Sequence, residues 1–399
     1  MINVTQAQEI IQKNSRIFPA VVCSLTESYG EILREDIFAD RDQPAFDKIL
    51  MDGIAIDFLS WKTGCRNFKI QGIQPAGTKS LKLKAKNYCI EVMTGAVLPV
   101  GTDCVIPVEQ IKIQEKNANV NDTVQLQPKQ YILARGSDYK KGERLLASGT
   151  YLSPPVVAVA AAVGKKTVKI SCRPGIAIIS TGDELVDVGK PIKPQQIRVS
   201  NSYALDAALK AHRFNKTKIF HLKDNPAVML RSIQRILKTF DIVVLSGGVS
   251  MGKFDYVPQV LTELGVKVLF HKVQQKPGKP FWFGVKKNGP AVFALPGNPA
   301  STLICFYRYV LPHLKRSIGL NKIVQESVIL LEDCDSPLSF TYFLPVKVEF
   351  GKDGQLKAKA VSTSGSGDYL SLANSDGFVE LAAGRGHFPS KTIAPFYRW

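Results

Sequence analysis

Apolar and polar positions follow different rules in successive parts of the chain. From about 54 to 132, short runs (FKIQGI, YCIEVM, DCVIPVEQIKI, TVQLQ) are separated by Gly, Pro and Asn turns. That spacing predicts a small β-domain. From 173 to about 318 the pattern becomes strand, loop, helix, repeated. IAIIS, TKIFHL, DIVVLS and AVFAL read as strands, with helices near 200–212, 226–239, 257–264 and 300–316. The architecture implied is an open, mostly parallel α/β sheet, whose ligand site belongs at the carboxyl ends of the strands. Residues 324 to 399 (SVILLEDCD, TYFLPVKVEF, QLKAKAV, GFVELAAG) predict a second β-domain, with SGSGD at 364 to 368 as a flexible connection. Before the first β-domain, a helix is expected over 5–13 with Thr5 as its N-cap and Ile10 and Ile11 on its apolar side. A second helix is expected over 28–37, followed by a loop and then a strand at MDGIAI. A further helix begins after Ser153-Pro154, and its Ala-rich stretch VVAVAAAVG reads as tightly packed and buried.

Four segments carry chemistry. In DIVVLSGGVSMGKFD (241–255), Gly247 and Gly248 let the backbone leave a buried strand sharply and approach a ligand without Cβ atoms in the way. Loops at this place offer N–H groups to phosphate. Asp255 cannot serve phosphate directly; it suits a cation or a hydroxyl, or else it caps the next helix. In HKVQQKPGKPFWFG (271–284), Lys272, Lys276 and Lys279 fall within eight residues, and Pro277 and Pro280 stiffen the segment. Held cations beside a Gly-rich loop describe a polyanion site. VFALPGNPAST (292–302) adds another stiff strand-to-helix loop. In STGDEL (180–185), Asp183 and Glu184 suit a divalent metal or a ribose or pterin donor, or simply the first turn of a helix. STGDEL, SGGVSMGKFD and LPGNP all fall at strand ends on one edge of the sheet.

Composition narrows the function. At 399 residues, two to four domains are expected. No apolar run is long enough to cross a membrane, and the first residues lack a basic start with an apolar block, so a cytoplasmic protein is expected. The seven Cys form no CxxC or Cys/His cluster, against a zinc site or a disulfide framework. Of five scattered His, His271 alone lies near the proposed chemistry, in a structural role. The net charge of +18 is spread along the chain with no nucleic-acid-binding motif, which fits attraction of small anionic ligands.

The segments GGVSMGKFDY, KPGKP and LPGNP resemble those of the molybdopterin molybdenumtransferases, the MoeA proteins, and of the related gephyrin E domain. The resemblance takes in MDGIAI (51–56), MTGA (93–96), RGSDYKKGE (135–143) and STGDEL, in family order, and weakens after about residue 325. It implies a multidomain α/β and β fold. Residues 1–45 and 133–172 would form an N-terminal helical and dimerisation region, interrupted by an inserted β-domain at 46–132. An open α/β domain of molybdopterin-binding type (173–320) and a C-terminal β-domain (321–399) would follow. The helix after Ser153-Pro154 would join the N-terminal helices.

The resemblance implies a Mg²⁺-assisted insertion of molybdate into adenylylated molybdopterin with release of AMP. Catalytic roles fall to Asp255, Glu184, Lys272 and Lys276. In a homodimer, Asp52, Thr94 and Asp138 would reach the partner's α/β domain. Glu184 and Asp255 would hold the metal. The pterin nucleotide would meet Thr181, Gly182 and Asp183 on one loop, and Ser246, Gly247, Gly248, Ser250 and Gly252 on the next. Lys279 with Pro296, Gly297 and Asn298 would complete its site. Contact with molybdopterin adenylyltransferase and with molybdoenzyme maturation proteins is implied as well. The chain departs from the family pattern at Ile49-Leu50 and Ile54, where Ser-Ala and Tyr are common, and at Asn225, where a second Asp is common before the Pro. Two alternatives stand beside this reading: a molybdopterin adenylyltransferase, which would be a single short domain, and a gephyrin-like scaffold that binds a peptide.

Overall fold

The structure, a computed structural model, describes residues 1–249 and 255–399. Helix α1 (Val4–Lys13) opens the chain. Its N-cap is Asn3, one residue before the helix and two before the expected Thr5, and Asn3 and Gln6 cap each other reciprocally, at 2.8 and 3.0 Å. The expected helix over 28–37 is absent. Ile32, Leu33 and Ile37 are buried there in an extended path, with Ile32 and Leu33 bridged to Tyr151 and Ile170. Strand β1 (Ala20–Ser24) pairs with the strand Thr167–Ser171, so the region around the insertion holds as much β-structure as helix.

The inserted part is a six-stranded sheet. Its strands are β2 (Gly53–Ile56), β3 (Asn67–Gln74), β4 (Tyr88–Val92), β5 (Cys104–Pro107), β6 (Ile111–Gln114) and β7 (Asn117–Val120), in the order β5-β2-β4-β3-β7-β6. TVQLQ is not one of them: Val124 and Leu126 are buried but join no ladder, and NANV pairs instead. Helix α2 (Pro154–Ala162) follows. Only Ala160 of this helix is buried, against the expectation of a buried helix, and it packs in a small core with Leu33 and Ile37. The apolar face of α1 instead packs on the α/β core, so α1 and α2 serve different cores.

The α/β core is built on β8 (Ile176–Thr181), β9 (Thr217–Leu222), β10 (Ile242–Ser246), β11 (Val266–His271), β12 (Trp282–Lys286) and β13 (Ala291–Leu295). Their order is β9-β8-β10-β13-β12-β11, the first four parallel and the last two antiparallel. β11 and β12 were not expected. Ile176, Ile178, Ile242 and Val244 face one core; Ala177, Ile179, Val243 and Leu245 face the other. Burial on both faces of the sheet explains the unbroken apolar runs of the central strands β8, β10 and β13. Helices α3 (Asn201–Ala211), α4 (Pro226–Thr239) and α5 (Val257–Glu263) cover it. The segment expected as one helix over 300–316 is α6 (Pro299–Cys305), a buried π turn (Phe306–Val310) and α7 (Leu311–Ser317).

The C-terminal part comprises β14 (Glu326–Leu330), β15 (Thr341–Phe350), β16 (Leu356–Ala360), helix α8 (Tyr369–Ala373), β17 (Gly377–Leu381) and β18 (Ile393–Arg398). The ladder runs β15-β16-β14-β18-β17, and β17 pairs back onto β15, closing a small barrel. The two-residue strand Gln275–Lys276 adds to β15 and joins the barrel to the α/β core. No helix is long and apolar enough to cross a membrane, among the described residues.

Candidate active site

Three strand ends converge on a cleft of ≈ 380 Å³ at the carboxyl edge of the α/β sheet. β8 delivers Thr181, Gly182 and Glu184; β10 delivers Ser246, Gly247 and Gly248; β13 delivers Pro296, Gly297 and Asn298. Asp255, before α5, also lines the cleft. The glycine pair is required by close approach. Gly247 and Gly248 have φ of +94° and +67°, and a Cβ on either would come within 3 Å of Thr181 atoms. The Gly247 N–H donates to the Leu295 carbonyl at 3.1 Å, so this amide holds two strands together and does not serve phosphate, against expectation. Ser250 and Gly252 lie outside the described residues.

Polar groups lock the loops to one another. The Asn201 side-chain amide, at the start of α3, donates to Ser246 Oγ at 2.8 Å and to the Gly297 carbonyl at 2.7 Å. Thr302 Oγ1 donates to the Pro296 carbonyl at 2.6 Å. Asn298 Nδ2 donates to Ser366 Oγ at 2.6 Å, and Ser200 Oγ lies 2.6 Å from the Tyr369 hydroxyl. The SGSGD segment is therefore tied to the cleft on both sides and is no free connection. Asn201, Ser200 and Tyr369 line the cleft without having been singled out from the sequence, and Asp224, the first residue of the Asp224-Asn225-Pro226 segment, lines it as well. The polar triplet Ser200-Asn201-Ser202 opening an apolar helix was the one available signal.

Two features give the cleft its electrostatic character. The Thr181 hydroxyl is buried and has no hydrogen-bond partner among the described residues, which is costly unless a ligand supplies one. The Asp224 carboxyl is raised above its ordinary range, by burial first and then by Asp183, Glu184 and Asp255. Asp183 itself does not line the cleft; it accepts a long hydrogen bond (3.3 Å) from the Asp224 amide. Three carboxylates, Glu184, Asp224 and Asp255, thus line the cleft, with Asp183 close behind Asp224. Among the described residues no three of His, Cys, Asp and Glu converge closely enough to enclose an ion. A divalent cation here would share its oxygens with a bound phosphate, as Mg²⁺ commonly does.

The lysines divide differently from expectation. Lys276 and Lys279 line an adjoining cleft of ≈ 370 Å³, which shares Pro280, Pro296 and Asn298 with the first. Lys272 lines neither; it stands at φ +74° with its amide bonded to Phe281, because the chain turns there out of β11. Buried Gln275 shapes the KPGKP loop from beneath, donating toward the Pro277 and Gly278 carbonyls and accepting from Tyr309 Oη of the π turn.

Asp52, Thr94 and Asp138 are not brought to either cleft within one chain. Asp52 and Thr94 do meet: Asp52 Oδ1 accepts from the Thr94 amide and hydroxyl at 2.6 and 2.7 Å, which lowers the carboxyl below its ordinary range. The Asp138 amide donates to the Gln43 carbonyl. His271 Nε2 donates to the Val249 carbonyl at 3.1 Å, a structural role as expected.

Known proteins match this architecture along its whole length. Residues 2–164 match the MoeA N-terminal region (domain I and II), 177–316 a probable molybdopterin binding domain, and 327–390 the MoeA C-terminal region (domain IV). A molybdopterin molybdenumtransferase from Synechocystis sp. is 37% identical over 400 residues, covering all of both chains. One from Haemophilus influenzae is 32% identical over 380 residues, 94% of this chain and 93% of the relative. A molybdopterin biosynthesis MoeA protein from Pyrococcus horikoshii OT3 superposes with a TM-score of 0.85 at 26% identity, covering 100% of both chains. The three strand-end loops, the glycine pair and the barrel that reaches over them therefore sit in a chain that belongs to the MoeA family of molybdopterin molybdenumtransferases.

Proposed function

We propose that the chain inserts molybdate into adenylylated molybdopterin and releases AMP, completing the molybdenum cofactor. The observation that carries this is the pairing of two clefts: one walled by carboxylates with an unsatisfied Thr181 hydroxyl, the other bearing Lys276 and Lys279. The first suits the pterin nucleotide and a cation at its phosphates; the second suits the anion to be inserted. Their common wall of Pro280, Pro296 and Asn298 puts the two ligands side by side. A single-domain adenylyltransferase has no use for the flanking β-domains, which the relatives share.

Glu184 and Asp255, with Asp224 beside them, would hold Mg²⁺, which when bound neutralises the phosphates being parted. The mutual repulsion that raises Asp224 is what such an ion would relieve. Thr181 hydrogen-bonds the nucleotide, and Asn201 keeps the Ser246 and Gly297 loops in register beneath it. The test is AMP release and molybdate insertion by Glu184→Gln and Asp255→Asn, beside their affinity for the adenylylated pterin. Groups used mainly in the transition state should lower turnover by about 100-fold or more while leaving affinity nearly intact. Near-normal turnover in both variants would overturn the assignment.

A homodimer belongs to the same proposal. Val22, Phe38 and Tyr151 are 70%, 51% and 45% exposed around the β1 pairing, and α2 buries little of its apolar surface. Pairing there would give Asp52, Thr94 and Asp138 a role at a partner's cleft. The division at residues 46, 133, 173 and 321, a cytoplasmic location, and hand-over from the adenylyltransferase and to molybdoenzyme maturation proteins complete the proposal.

A further inference from the structure

Two helices that start at the cleft end at a second cavity. α3 begins at Asn201 and its C-cap is His212; α6 begins beside Asn298 and runs into the π turn that carries Tyr307. His212, Tyr307 and Lys315 of α7 line a cavity of ≈ 220 Å³, to which Phe396 and Trp399 from the end of the barrel also contribute. The Tyr307 ring meets His212 edge-on at 6.1 Å and Trp399 edge-on at 5.4 Å. None of these residues contributes to either cleft described above.

Three polar side chains here lack a hydrogen-bond or ion-pair partner among the described residues: the Tyr307 hydroxyl, the His212 imidazole and the Lys315 ammonium. An ammonium taken partly out of water without a counter-charge is a standing cost. Burial pushes Lys315 below its ordinary range, and burial with the nearby Lys315 charge pushes His212 down to about 4, leaving a neutral ring at physiological pH. Glu326 also lines the cavity, but its carboxylate is held by Arg398 at 3.0 Å. The remaining wall is largely apolar, with Leu311, Pro312, Ile323 and Val324 beside Tyr397 and Trp399, and Trp399 offers a flat face to a ring. A volume below that of ordinary drug-sized pockets limits the occupant to about one ring with a short acidic group.

We infer that this cavity is a second ligand site, for a small aromatic carboxylate whose acid group meets Lys315, the Tyr307 hydroxyl and His212 while its ring lies against Trp399. The probe is 4-fluorobenzoate, followed by fluorine NMR on the full chain. Saturable binding is expected, weakened about tenfold or more in Lys315→Met, as for loss of a charged hydrogen bond. Tyr307→Phe, which keeps the packing and removes only the hydroxyl, should weaken it by a smaller factor and remains readable if Lys315→Met fails to fold. Lys276→Ala should bind as the parent does. No binding, equal binding by Tyr307→Phe and the parent, or loss in Lys276→Ala would overturn the site. Equal affinity for the neutral 4-fluorobenzyl alcohol would overturn the role of charge, and displacement by inorganic phosphate at similar concentration would overturn the choice of an aromatic acid.

Discussion

Asn225 stands where a second acidic residue is common, and its position has a use: its side chain accepts from the Val228 amide at 3.1 Å and caps α4. Ile49 and Ile54 are likewise accounted for, since both are fully buried in the inserted domain's cores. The acidic work left by Asn225 rests on Asp224, whose carboxyl burial and neighbouring carboxylates hold above its ordinary value. The folded chain therefore binds that proton more readily than the unfolded one. Stability from this source is present below the ordinary Asp range and is lost as pH rises through the raised value. At pH 7 the ionised Asp224 is a net cost unless a cation sits beside it. Asp224→Asn should accordingly melt higher than the parent in Mg²⁺-free buffer and lose most of the parent's Mg²⁺-induced rise. Thermal melts with and without Mg²⁺ check this, and an equal rise in both proteins would remove Asp224 from the cation site.

Among the elements, the π turn shows why some of the molecule was legible in the sequence and some was not. β8, β10 and β13 could be read because burial on both faces makes them unbroken apolar runs ending at Gly or Pro. β11 and β12 were hidden: Lys267 and Val268 of β11 are exposed, and WFGVK follows directly on a lysine-proline motif that draws attention to itself. The stretch 28–37 mimics helical spacing because Ile32, Leu33 and Ile37 are pinned by long-range bridges that no local pattern reports. The π turn itself leaves no trace in the apolar pattern, since all five residues are buried, Arg308 included. Arg308 is 6% exposed and pairs with Glu380 of β17 at 2.7 Å, and Tyr397 Oη donates to the same carboxylate. Removing one partner of such a pair strands the other, at about 3–5 kcal/mol. Glu380→Leu should lose about that much in chemical denaturation, and adding Arg308→Leu should restore part of it. A double variant no more stable than the single one would show that the stranded Arg308 charge is not what Glu380→Leu costs.

At the scale of the whole molecule, the strand-end loops and the lysine motif could be placed on one edge from sequence, but their division into two clefts could not. That division depends on the barrel reaching over the sheet, through Gln275–Lys276, Ser366 and Tyr369, and such contacts link segments far apart in the chain. Light scattering at micromolar concentration should report twice the mass of 43.9 kDa; a monomer would remove Asp52, Thr94 and Asp138 from the reaction. The placement of α1 bears on how the protein is made. Val4, Ala7 and Ile11 bury against a core that includes Ile304, Leu314 and Ile318. Made well before Ile304, Leu314 and Ile318, this helix must wait for some 300 further residues, roughly 15–60 s at ordinary rates of synthesis. Through that interval its apolar stripe has no native surface to cover it, and the enclosing of Val4 and Ile11, about 1.5–3 kcal/mol each, is deferred to the last stage of folding. A chain halted at residue 298 should show free amide exchange over residues 4–13 where the full chain is protected. Residues 4–13 would then be among the latest to settle although they are made long before the segments that cover them.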